Sequence, residues 1–235
     1  MMFPVAILAG GLATRLHPIT EIIPKSVVEV AGKPFIAWQL SYLREQGVTK
    51  VVICLGHLGE MVRDVVGNGE RFGLKVSYSE DGPILLGTGG ALMKAAPLLG
   101  DDFFVLYGDS FLPVNFSTVQ KAYEKSSLPA LMTILQNQNQ WDKSNVFFKN
   151  GQLLEYNKRA PRKEMTYIDF GLGVISASIL KHYLFDRPFD LADTYQDLSQ
   201  KGKLAGFEAY DRFYEIGSHT GLKETEKYLL MKGEE

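Results

Sequence analysis

Two positively charged side chains follow a glycine-rich turn near the start of the chain. The apolar run at residues 5–8 leads into Ala9, Gly10 and Gly11, and Arg15 and Lys25 come soon afterwards. Backbone N–H groups can approach phosphate oxygens only where side chains are small or absent, and basic side chains neutralise the phosphate charge. The pattern therefore predicts a phosphate-binding loop. Many strand-to-helix turns use glycine for geometry alone, so the glycines by themselves leave both interpretations open.

The segment as a whole resembles the signature of the sugar-1-phosphate nucleotidyltransferases, which reads roughly L-A-G-G-x-G-T-R-L-x-P-L-T and then P-K-P. Here residues 8–20 read LAGGLATRLHPIT and residues 24–26 read PKS. The chain departs from the pattern at Ala13, where the family usually has Gly, and at Ser26, where it has Pro. Ala13 keeps the side chain minimal, and we interpret neither change as disabling.

Further blocks resemble the same family, in the same order. They read VEVAGKPFI at residues 28–36, LGTGGA at 86–91, YGD at 107–109 and FYEIGS at 213–218. The resemblance spans most of the chain and implies a single nucleotidyltransferase domain over residues 1–235, most like the short form of the family. It also implies an α/β fold with a Rossmann-like, mostly parallel sheet of the glycosyltransferase-A type and flanking helices.

The order of apolar segments agrees with this fold class. Strand-length runs at 3–8, 51–55, 75–79, 102–107 and 130–135 alternate with helical segments at 35–46, 60–66, 89–96 and 116–125. Such alternation predicts parallel strands with crossover helices, and ligands then bind beyond the carboxyl ends of the strands. We expect a nucleotide-binding half up to about residue 135. Shorter strands and the hairpin signal Asn150-Gly151 predict a small mixed-sheet sugar-binding half over about 136–235, with a final helix at 220–231.

Composition excludes several other classes of protein. The chain has 235 residues, 46% of them apolar, with a formal net charge of -2 and no long basic run, which argues against a nucleic-acid partner. No segment approaches the roughly 20 apolar residues of a membrane-spanning helix, and no signal peptide is evident. The single cysteine, Cys54, lies in an apolar run and excludes an intrachain disulfide. We expect a monomer or small homo-oligomer in the bacterial cytoplasm, the location that the resemblance implies.

The chemistry that the resemblance implies is nucleotidyl transfer. A phosphate oxygen of a sugar 1-phosphate attacks the α-phosphorus of a nucleoside triphosphate, and pyrophosphate leaves. Because a phosphate monoester has a second pKa of about 6, the attacking oxygen is already ionised and no general base is needed. The protein must align two anions and neutralise their charge. Arg15 is assigned to the pyrophosphate and Lys25 to the charge near the reacting phosphorus.

Two acidic residues are predicted to hold Mg²⁺, the expected cofactor. Asp109 follows Gly108 directly after a strand-length run, and family members use the corresponding aspartate for the metal. A turn or helix-cap aspartate is the alternative interpretation. The second predicted ligand is Glu215, where the family pattern more often has Asp. Glutamate is a competent oxygen ligand but is one methylene longer.

The resemblance also assigns the residues that bind the two substrates. We expect the nucleotide to be bound, largely through backbone groups, by Leu8, Ala9, Gly10, Gly11, Thr14, Gly87, Thr88 and Gly108. We expect the sugar phosphate to be bound by Asn157, Lys158, Asp169 and Gly171. Many relatives have Glu at the first and Asn at the third of these four positions. The turn at Glu80-Asp81 either accepts donors from a guanine or a ribose hydroxyl or is a solvated turn.

Several substrates remain open at this level. The pattern looks most like the group that uses GTP with D-glycero-D-manno-heptose 1-phosphate or a mannose-type phosphate for bacterial surface polysaccharides. Uridylyl transfer to an amino-sugar or muramic-type phosphate is the main alternative, and cytidylyl transfer comes next. A non-catalytic regulatory protein that binds nucleotide sugars is an alternative of another class. A Rossmann oxidoreductase is disfavoured because the first turn has no G-x-G-x-x-G.

Overall fold

A computed structural model describes residues 1–11, 16, 18–182 and 188–233. The strands are β1 (Val5–Leu8), β2 (Glu29–Val30), β3 (Lys33–Pro34), β4 (Lys50–Leu55), β5 (Lys75–Glu80), β6 (Asp102–Tyr107), β7 (Ser110–Phe111), β8 (Ala130–Gln136), β9 (Val146–Lys149), β10 (Gln152–Tyr156), β11 (Tyr167–Ser176), β12 (Leu204–Ala209) and β13 (Tyr214–Glu215). The helices are α1 (Ile19–Ile22), α2 (Phe35–Glu45), α3 (Gly59–Val66), α4 (Gly87–Leu99), α5 (Phe116–Ser126), α6 (Ala177–Leu180), α7 (Leu191–Gln200) and α8 (His219–Lys232).

One large sheet organises the described part of the chain. Across it the strand order is β12, β8, β11, β6, β1, β4, β5. The strands β6, β1, β4 and β5 pair in parallel, and β12 pairs in parallel with β8. Only β11 among these runs the other way, antiparallel to both β6 and β8. The predicted mostly parallel α/β sheet with flanking helices is therefore confirmed.

Strands from the second half of the chain belong to the same sheet. The hairpin β9–β10 lies where Asn150-Gly151 predicted it, with both residues at positive φ. The strands β11 and β12 join the central sheet beside β8, the strand that the sequence placed in the first half of the chain. The strand β12 and the helix α7 were not predicted. The sequence signal for β12 is weak because Gly206 interrupts the run. The glycine is required by packing, since a Cβ on Gly206 would lie 2.9 Å from the Phe148 ring.

Apolar side chains fill both faces of the sheet. Val5 and Ile7 of β1 pack on the side covered by α2, α3 and α5, whereas Ala6 and Leu8 pack on the side covered by α4, α6 and α7. A strand buried on both faces is typical of a parallel sheet between two helical layers. None of the described helices combines the length and the apolar character that crossing a membrane requires.

A bulge in β11 carries the strand past the end of its neighbour β6. The pairing of β11 with β8 shifts register between Asp169 and Gly173, where Gly171 has a φ of +105°. The buried hydroxyl of Thr133 donates to the carbonyl of Leu172 at 2.6 Å and accepts from its N–H, which satisfies the displaced backbone. Pairing with β6 begins at Leu172, so Asp169 extends beyond the carboxyl end of β6.

The last described elements return to the turn after β6. β13 pairs with β7, and the N–H of Ile216 donates to the carbonyl of Asp109 at 2.9 Å. Phe35 of α2, Phe111, Ile216 and Leu229 of α8 form a small buried cluster behind this contact. The C-terminal helix is thereby attached to the carboxyl edge of the sheet.

Candidate active site

The turns that leave β1, β4 and β6 lie in backbone contact with one another. A Cβ on Gly10 would come within 2.9 Å of the Gly56 nitrogen, and a Cβ on Gly108 within 2.9 Å of the Leu8 carbonyl oxygen. The N–H of Gly108 also donates to that carbonyl at 3.0 Å. Gly10 and Gly108 are therefore required by packing between turns. A Cβ on Gly11 would have no described neighbour within 4 Å, so this glycine leaves open space for a ligand.

A cavity of about 240 Å³ lies at this carboxyl edge. It unites most of the predicted catalytic and nucleotide-binding residues, namely Leu8, Ala9, Gly10, Gly11, Lys25, Gly87, Thr88, Gly108 and Asp109. Two remaining predictions, Thr14 and Arg15, lie outside the described residues, as does the departure at Ala13. The first and second glycine-rich turns, far apart in sequence, therefore line one cavity.

An ion pair lies in the wall of the cavity. Lys25 Nζ is 2.8 Å from Asp109 Oδ2, and the two side chains are 16% and 29% exposed. The Ser110 hydroxyl donates to the other carboxylate oxygen of Asp109 at 3.1 Å. The structure thus brings together the lysine and the aspartate that the sequence predicted to act on phosphate and metal. Lys25 reaches this position from a short 3₁₀ turn over Lys25–Val27.

A buried glutamine fixes the turn that carries Asp109. Gln39 Nε2 donates to the carbonyls of Tyr107 at 2.9 Å and Ser110 at 2.8 Å. Gln39 is 2% exposed and sits among the buried residues of α2. Sequence reasoning missed this residue, although one amide on an otherwise apolar helix face is a usable signal for a buried hydrogen-bonding role.

The second glycine-rich turn is attached to the start of α7. The N–H of Gly89 donates to the Phe189 carbonyl at 3.0 Å, and the N–H of Leu191 donates to the Thr88 hydroxyl at 2.8 Å. The same hydroxyl donates to the carboxylate of Asp190, the N-cap of α7. Gly87 has a φ of +73°, and a Cβ there would overlap the Phe189 carbonyl. The Thr88 hydroxyl is therefore hydrogen-bonded to the start of α7, although Thr88 also lines the cavity.

A carboxylate follows β5 at the far side of the same cavity. Asp81 lines the cavity and accepts from the N–H of Leu86 at 3.0 Å through Oδ2. Burial raises the pKa of Asp81, and this hydrogen bond and nearby Lys94 offset part of the rise. The sequence left this residue open as a guanine or ribose acceptor. The structure puts it in the cavity wall rather than in a turn directed only to solvent.

The one cysteine also lines the cavity. Cys54 is buried in β4, as predicted, and burial raises the pKa of its thiol to about 12. A thiolate is the nucleophilic form of cysteine, so Cys54 is not ionised for covalent chemistry near neutral pH.

The residues predicted to bind the sugar phosphate lie around the bulge of β11. Asp169 Oδ1 accepts from the N–H of Gly171 at 2.9 Å, and the N–H of Asp169 donates to the Asn145 side chain at 2.9 Å. Burial raises the pKa of Asp169 to about 6, while the Gly171 N–H and the positive charge of Lys158 oppose the rise. A Cβ on Gly171 would lie 3.9 Å from the Ser110 Cβ, so this strand runs beside the turn that carries Asp109.

The remaining residue of this set, Asn157, has local contacts. Its side chain accepts from the N–H of Ala160 at 2.9 Å, and its own N–H donates to the Asn145 carbonyl at 2.9 Å. Asn157 therefore shapes the start of the loop that carries Lys158. The structure brings Lys158 and Asp169 into electrostatic contact, since the lysine charge lowers the pKa of the aspartate.

Three buried tyrosines lie within electrostatic range of Asp169. Burial raises the pKa of Tyr107, Tyr156 and Tyr195 well above the usual value, and the negative charge of Asp169 raises each of them further. Their phenols are neutral and retain their donor hydrogens near the carboxylate. Tyr107 also lines the nucleotide cavity and so links the two predicted subsites. Sequence reasoning did not assign these tyrosines, because they come from β6, β10 and α7 and share no motif.

The predicted second metal ligand has a different set of contacts from Asp109. Glu215 Oε1 accepts from the Ser218 hydroxyl at 2.7 Å, and Oε2 accepts from the N–H of Gly217. The described contacts of this segment with the Asp109 turn are made by backbone: Glu215 pairs with Ser110, and the N–H of Ile216 donates to the Asp109 carbonyl. In the described part of the chain, no three His, Cys, Asp or Glu side chains form a metal-binding group. Mg²⁺ is commonly bound by one or two carboxylates plus substrate phosphates, so Asp109 suits it without such a group.

Comparison with known proteins agrees with this geometry. Residues 5–144 match the family model described as nucleotidyl transferase, which is more than half of the 235 residues. The D-glycero-alpha-D-manno-heptose 1-phosphate guanylyltransferase of Campylobacter jejuni is 27% identical over 214 residues, covering 90% of this chain and 93% of that protein. The N-acetylmuramate alpha-1-phosphate uridylyltransferase of Neisseria meningitidis is 38% identical over 124 residues, covering 52% of this chain and 53% of that protein.

A solved structure extends the comparison to the whole fold. HddC from Yersinia pseudotuberculosis, complexed with GMP-PN, has a TM-score of 0.79 and 25% identity, covering 97% of this chain and 100% of that chain. The first two curated relatives are matched over about half their own length, 53% for the neisserial protein and 55% for a Synechocystis uridylyltransferase. The family model nevertheless covers both the first glycine-rich turn and the turn at Asp109. The chain belongs to the nucleotidyl transferase family.

Proposed function

We propose that this protein transfers a nucleotidyl group from a nucleoside triphosphate to a sugar 1-phosphate, forming a nucleotide-diphospho-sugar and pyrophosphate. The observation that carries the proposal is the Lys25–Asp109 ion pair in a cavity lined by both glycine-rich turns. Cation, carboxylate and open backbone are the groups that two reacting phosphates need. The proposal takes residues 1–235 as one domain, because the sheet continues across position 135.

The residues of the cavity have separate roles in this reaction. Gly11 leaves room for phosphate oxygens to approach the backbone, and Lys25 neutralises charge near the α-phosphorus. Asp109 would hold Mg²⁺, which supplies charge neutralisation and orientation of the phosphates when bound. Once the lysine exchanges the carboxylate for a phosphate oxygen, Asp109 is available to the cation. Arg15 is assigned to the pyrophosphate by the family signature alone.

Asp81 supports GTP as the nucleotide. A carboxylate accepts two parallel hydrogen bonds, which match the N1–H and N2–H₂ donors of guanine. Uracil and thymine present one N–H between two carbonyl oxygens, which a carboxylate repels. The Campylobacter relative is a guanylyltransferase, and the HddC structure holds GMP-PN, which agrees with this choice. The neisserial relative is a uridylyltransferase, so uridylyl transfer is the competing outcome.

The sugar subsite is proposed at Lys158, Asp169 and Gly171, with the tyrosines around Asp169. Lys158 would bind the sugar phosphate, and Asp169 would accept hydrogen bonds from sugar hydroxyls. The Campylobacter relative acts on a heptose phosphate, which supports a heptose or mannose-type sugar for a bacterial surface polysaccharide. The reaction would take place in the cytoplasm, where nucleoside triphosphates are available.

The first experiment is a substrate grid. Pyrophosphate release with Mg²⁺ would be measured for GTP, UTP, dTTP, CTP and ATP against heptose, mannose, glucose and N-acetyl amino-sugar 1-phosphates. We expect the highest kcat/KM with GTP and a heptose or mannose-type phosphate. The highest value with UTP and an amino sugar would replace the substrates but keep the reaction. Nucleotide binding without turnover for any pair would favour the regulatory alternative.

Asp109→Asn tests the charge chemistry. We expect kcat/KM to fall about 10² to 10³-fold, as for loss of one group that stabilises transition-state charge. The amide still accepts from Ser110 but the ion pair with Lys25 is lost, so we expect only a small fall in the melting temperature. Asp101→Asn, an exposed position at the opposite edge of the sheet, is the matched control. Activity of Asp109→Asn equal to that of the control would contradict the role of Asp109.

Asp81→Asn tests the choice of base. The amide keeps an acceptor for the Leu86 N–H but loses the second acceptor for guanine, so we expect the preference for GTP over UTP to fall about tenfold in kcat/KM. Glu80→Gln is the control, since Glu80 pairs with Arg63 and does not line the cavity. An unchanged GTP preference in Asp81→Asn would assign base recognition to other groups.

Asp169→Asn tests whether the buried carboxylate of Asp169 lowers the free energy of unfolding at neutral pH. The folded protein holds the Asp169 proton more tightly than the unfolded chain, so the wild type loses stability as the pH rises from about 4 to about 6. The amide of the variant does not ionise. We therefore expect a stability gain for the variant of up to about 3 kcal/mol at pH 7 and none at pH 4, from roughly 1.4 kcal/mol per pKa unit. Urea unfolding at both pH values, against Asp101→Asn, measures this difference.

A further inference from the structure

One residue in the cavity wall departs from the family signature and changes the chemistry of the wall. Ser26 lies where the signature has proline, directly after Lys25, and it lines the same cavity as Gly11 and Asp109. Proline has neither a side-chain donor nor a backbone N–H. The serine therefore adds polar groups beside Lys25 at a position that the signature leaves apolar.

The hydroxyl of this serine is buried without a hydrogen-bond partner. Ser26 is 3% exposed, and in the part of the chain that the structure describes three buried side-chain atoms have no partner: Ser26 Oγ, Gln39 Oε1 and Thr194 Oγ1. A buried hydroxyl that has lost water and gained no partner destabilises the folded state, so its presence calls for an explanation. Of these three residues, only Ser26 lines the cavity.

The unpaired hydroxyl is next in sequence to the group proposed to meet phosphate. Lys25 pairs with Asp109 at 2.8 Å, and Lys25 and Ser26 belong to one short 3₁₀ turn. The turn is closed by backbone hydrogen bonds from the N–H groups of Val27 and Val28, which do not use the Ser26 side chain. A phosphate oxygen accepts hydrogen bonds and donates none, so a free hydroxyl donor beside a lysine matches it.

We propose that the Ser26 hydroxyl donates a hydrogen bond to the triphosphate when a nucleotide occupies the cavity. The hydroxyl must turn from its buried position toward the cavity, which is a change between staggered rotamers about one side-chain torsion. It then supplies a neutral donor beside the positive charge of Lys25. Without the nucleotide, the folded protein bears the cost of the unpaired hydroxyl. This inference rests on the proposed function, in which Lys25 contacts phosphate.

Two substitutions remove the same kind of group inside and outside the proposed contact. Ser26→Ala deletes the hydroxyl and keeps a small side chain. A hydroxyl that stabilises the fold would make this variant less stable, whereas loss of an unpaired buried hydroxyl makes it more stable. Thr194→Val is the matched control, because Thr194 carries another buried, unpaired hydroxyl and does not line the cavity.

Binding and stability would be measured on the full chain without a sugar 1-phosphate, so that no turnover is needed. The ligands, each with Mg²⁺, are the tighter-binding of GTP and UTP, and inorganic tripolyphosphate, which has three phosphates and no nucleoside. We expect Ser26→Ala to weaken both about tenfold, as for loss of one hydrogen bond to a charged group. The melting temperature of the unliganded variant should rise by about 2 °C or more. We expect Thr194→Val to raise the melting temperature similarly and to change neither affinity by more than about twofold.

Weaker binding of both ligands to Ser26→Ala, with a melting temperature no lower than that of the wild type, supports the inference. Weaker binding of the nucleotide alone would place the contact on the nucleoside and overturn the phosphate assignment. An unchanged affinity for the nucleotide, or a lower melting temperature, also overturns the inference, because the hydroxyl is then unused or structural.

Failure of the proposed function would be recognised separately. A wild-type protein that binds nucleotide but releases no pyrophosphate in the substrate grid overturns the proposed function and leaves the Ser26 comparison readable. A wild-type protein that binds neither nucleotide nor tripolyphosphate overturns both.

Discussion

The close approach of the turns after β1, β4 and β6 is the constraint on which the site depends. Parallel neighbours lie about 4.8 Å apart, so the turns that leave them must pass one another almost in contact. Gly10 and Gly108 meet this demand because a Cβ on either would collide with a neighbouring backbone. Gly11, by contrast, has no described neighbour within 4 Å of the position that a Cβ would take, and Asp109 directly follows Gly108 and pairs with Lys25. Packing of the sheet edge therefore explains Gly10 and Gly108, whereas Gly11 leaves the space that the proposed phosphate site would use.

The reversed strand β11 brings a second set of groups to this edge. Its bulge is held by Thr133 and extends Asp169 beyond β6, beside the turn at Ser110. Burial makes the ionised form of Asp169 costly, and its charge further raises the pKa values of the buried Tyr107, Tyr156 and Tyr195. A buried carboxylate of this kind is typical of a functional site, because a neutral amide at the same position would avoid the cost of burying a negative charge. The cavity and the Asp169 region are joined through Tyr107.

The sequence predicted what is local and missed what depends on distant pairing. The order of strands and helices up to residue 135 follows from apolar periodicity, and the Lys25 and Asp109 motifs identified both partners of an ion pair 84 positions apart. Nothing local indicates that β11 and β12 join the central sheet, that the Thr88 hydroxyl binds the start of α7, or that Gln39 holds the Asp109 turn. The motifs explained the glycines by phosphate binding alone. The structure adds a second reason for Gly10 and Gly108, because a Cβ on either would collide with the backbone of a neighbouring turn.

In the proposed transfer, which needs no general base, the rate would depend on groups that are already in place. Asp109 is held by elements from across the chain: Gln39 of α2 binds the carbonyls on either side, Ile216 binds its own carbonyl, and Lys25 binds its carboxylate. The backbone contacts from Gln39 and Ile216 fix the position of the Asp109 turn, so in the proposed reaction only the Lys25 contact would have to rearrange when phosphates bind. The C-terminal helix contributes to this order although it supplies no group to the cavity lining. Its first turn fixes β13, and β13 fixes the aspartate.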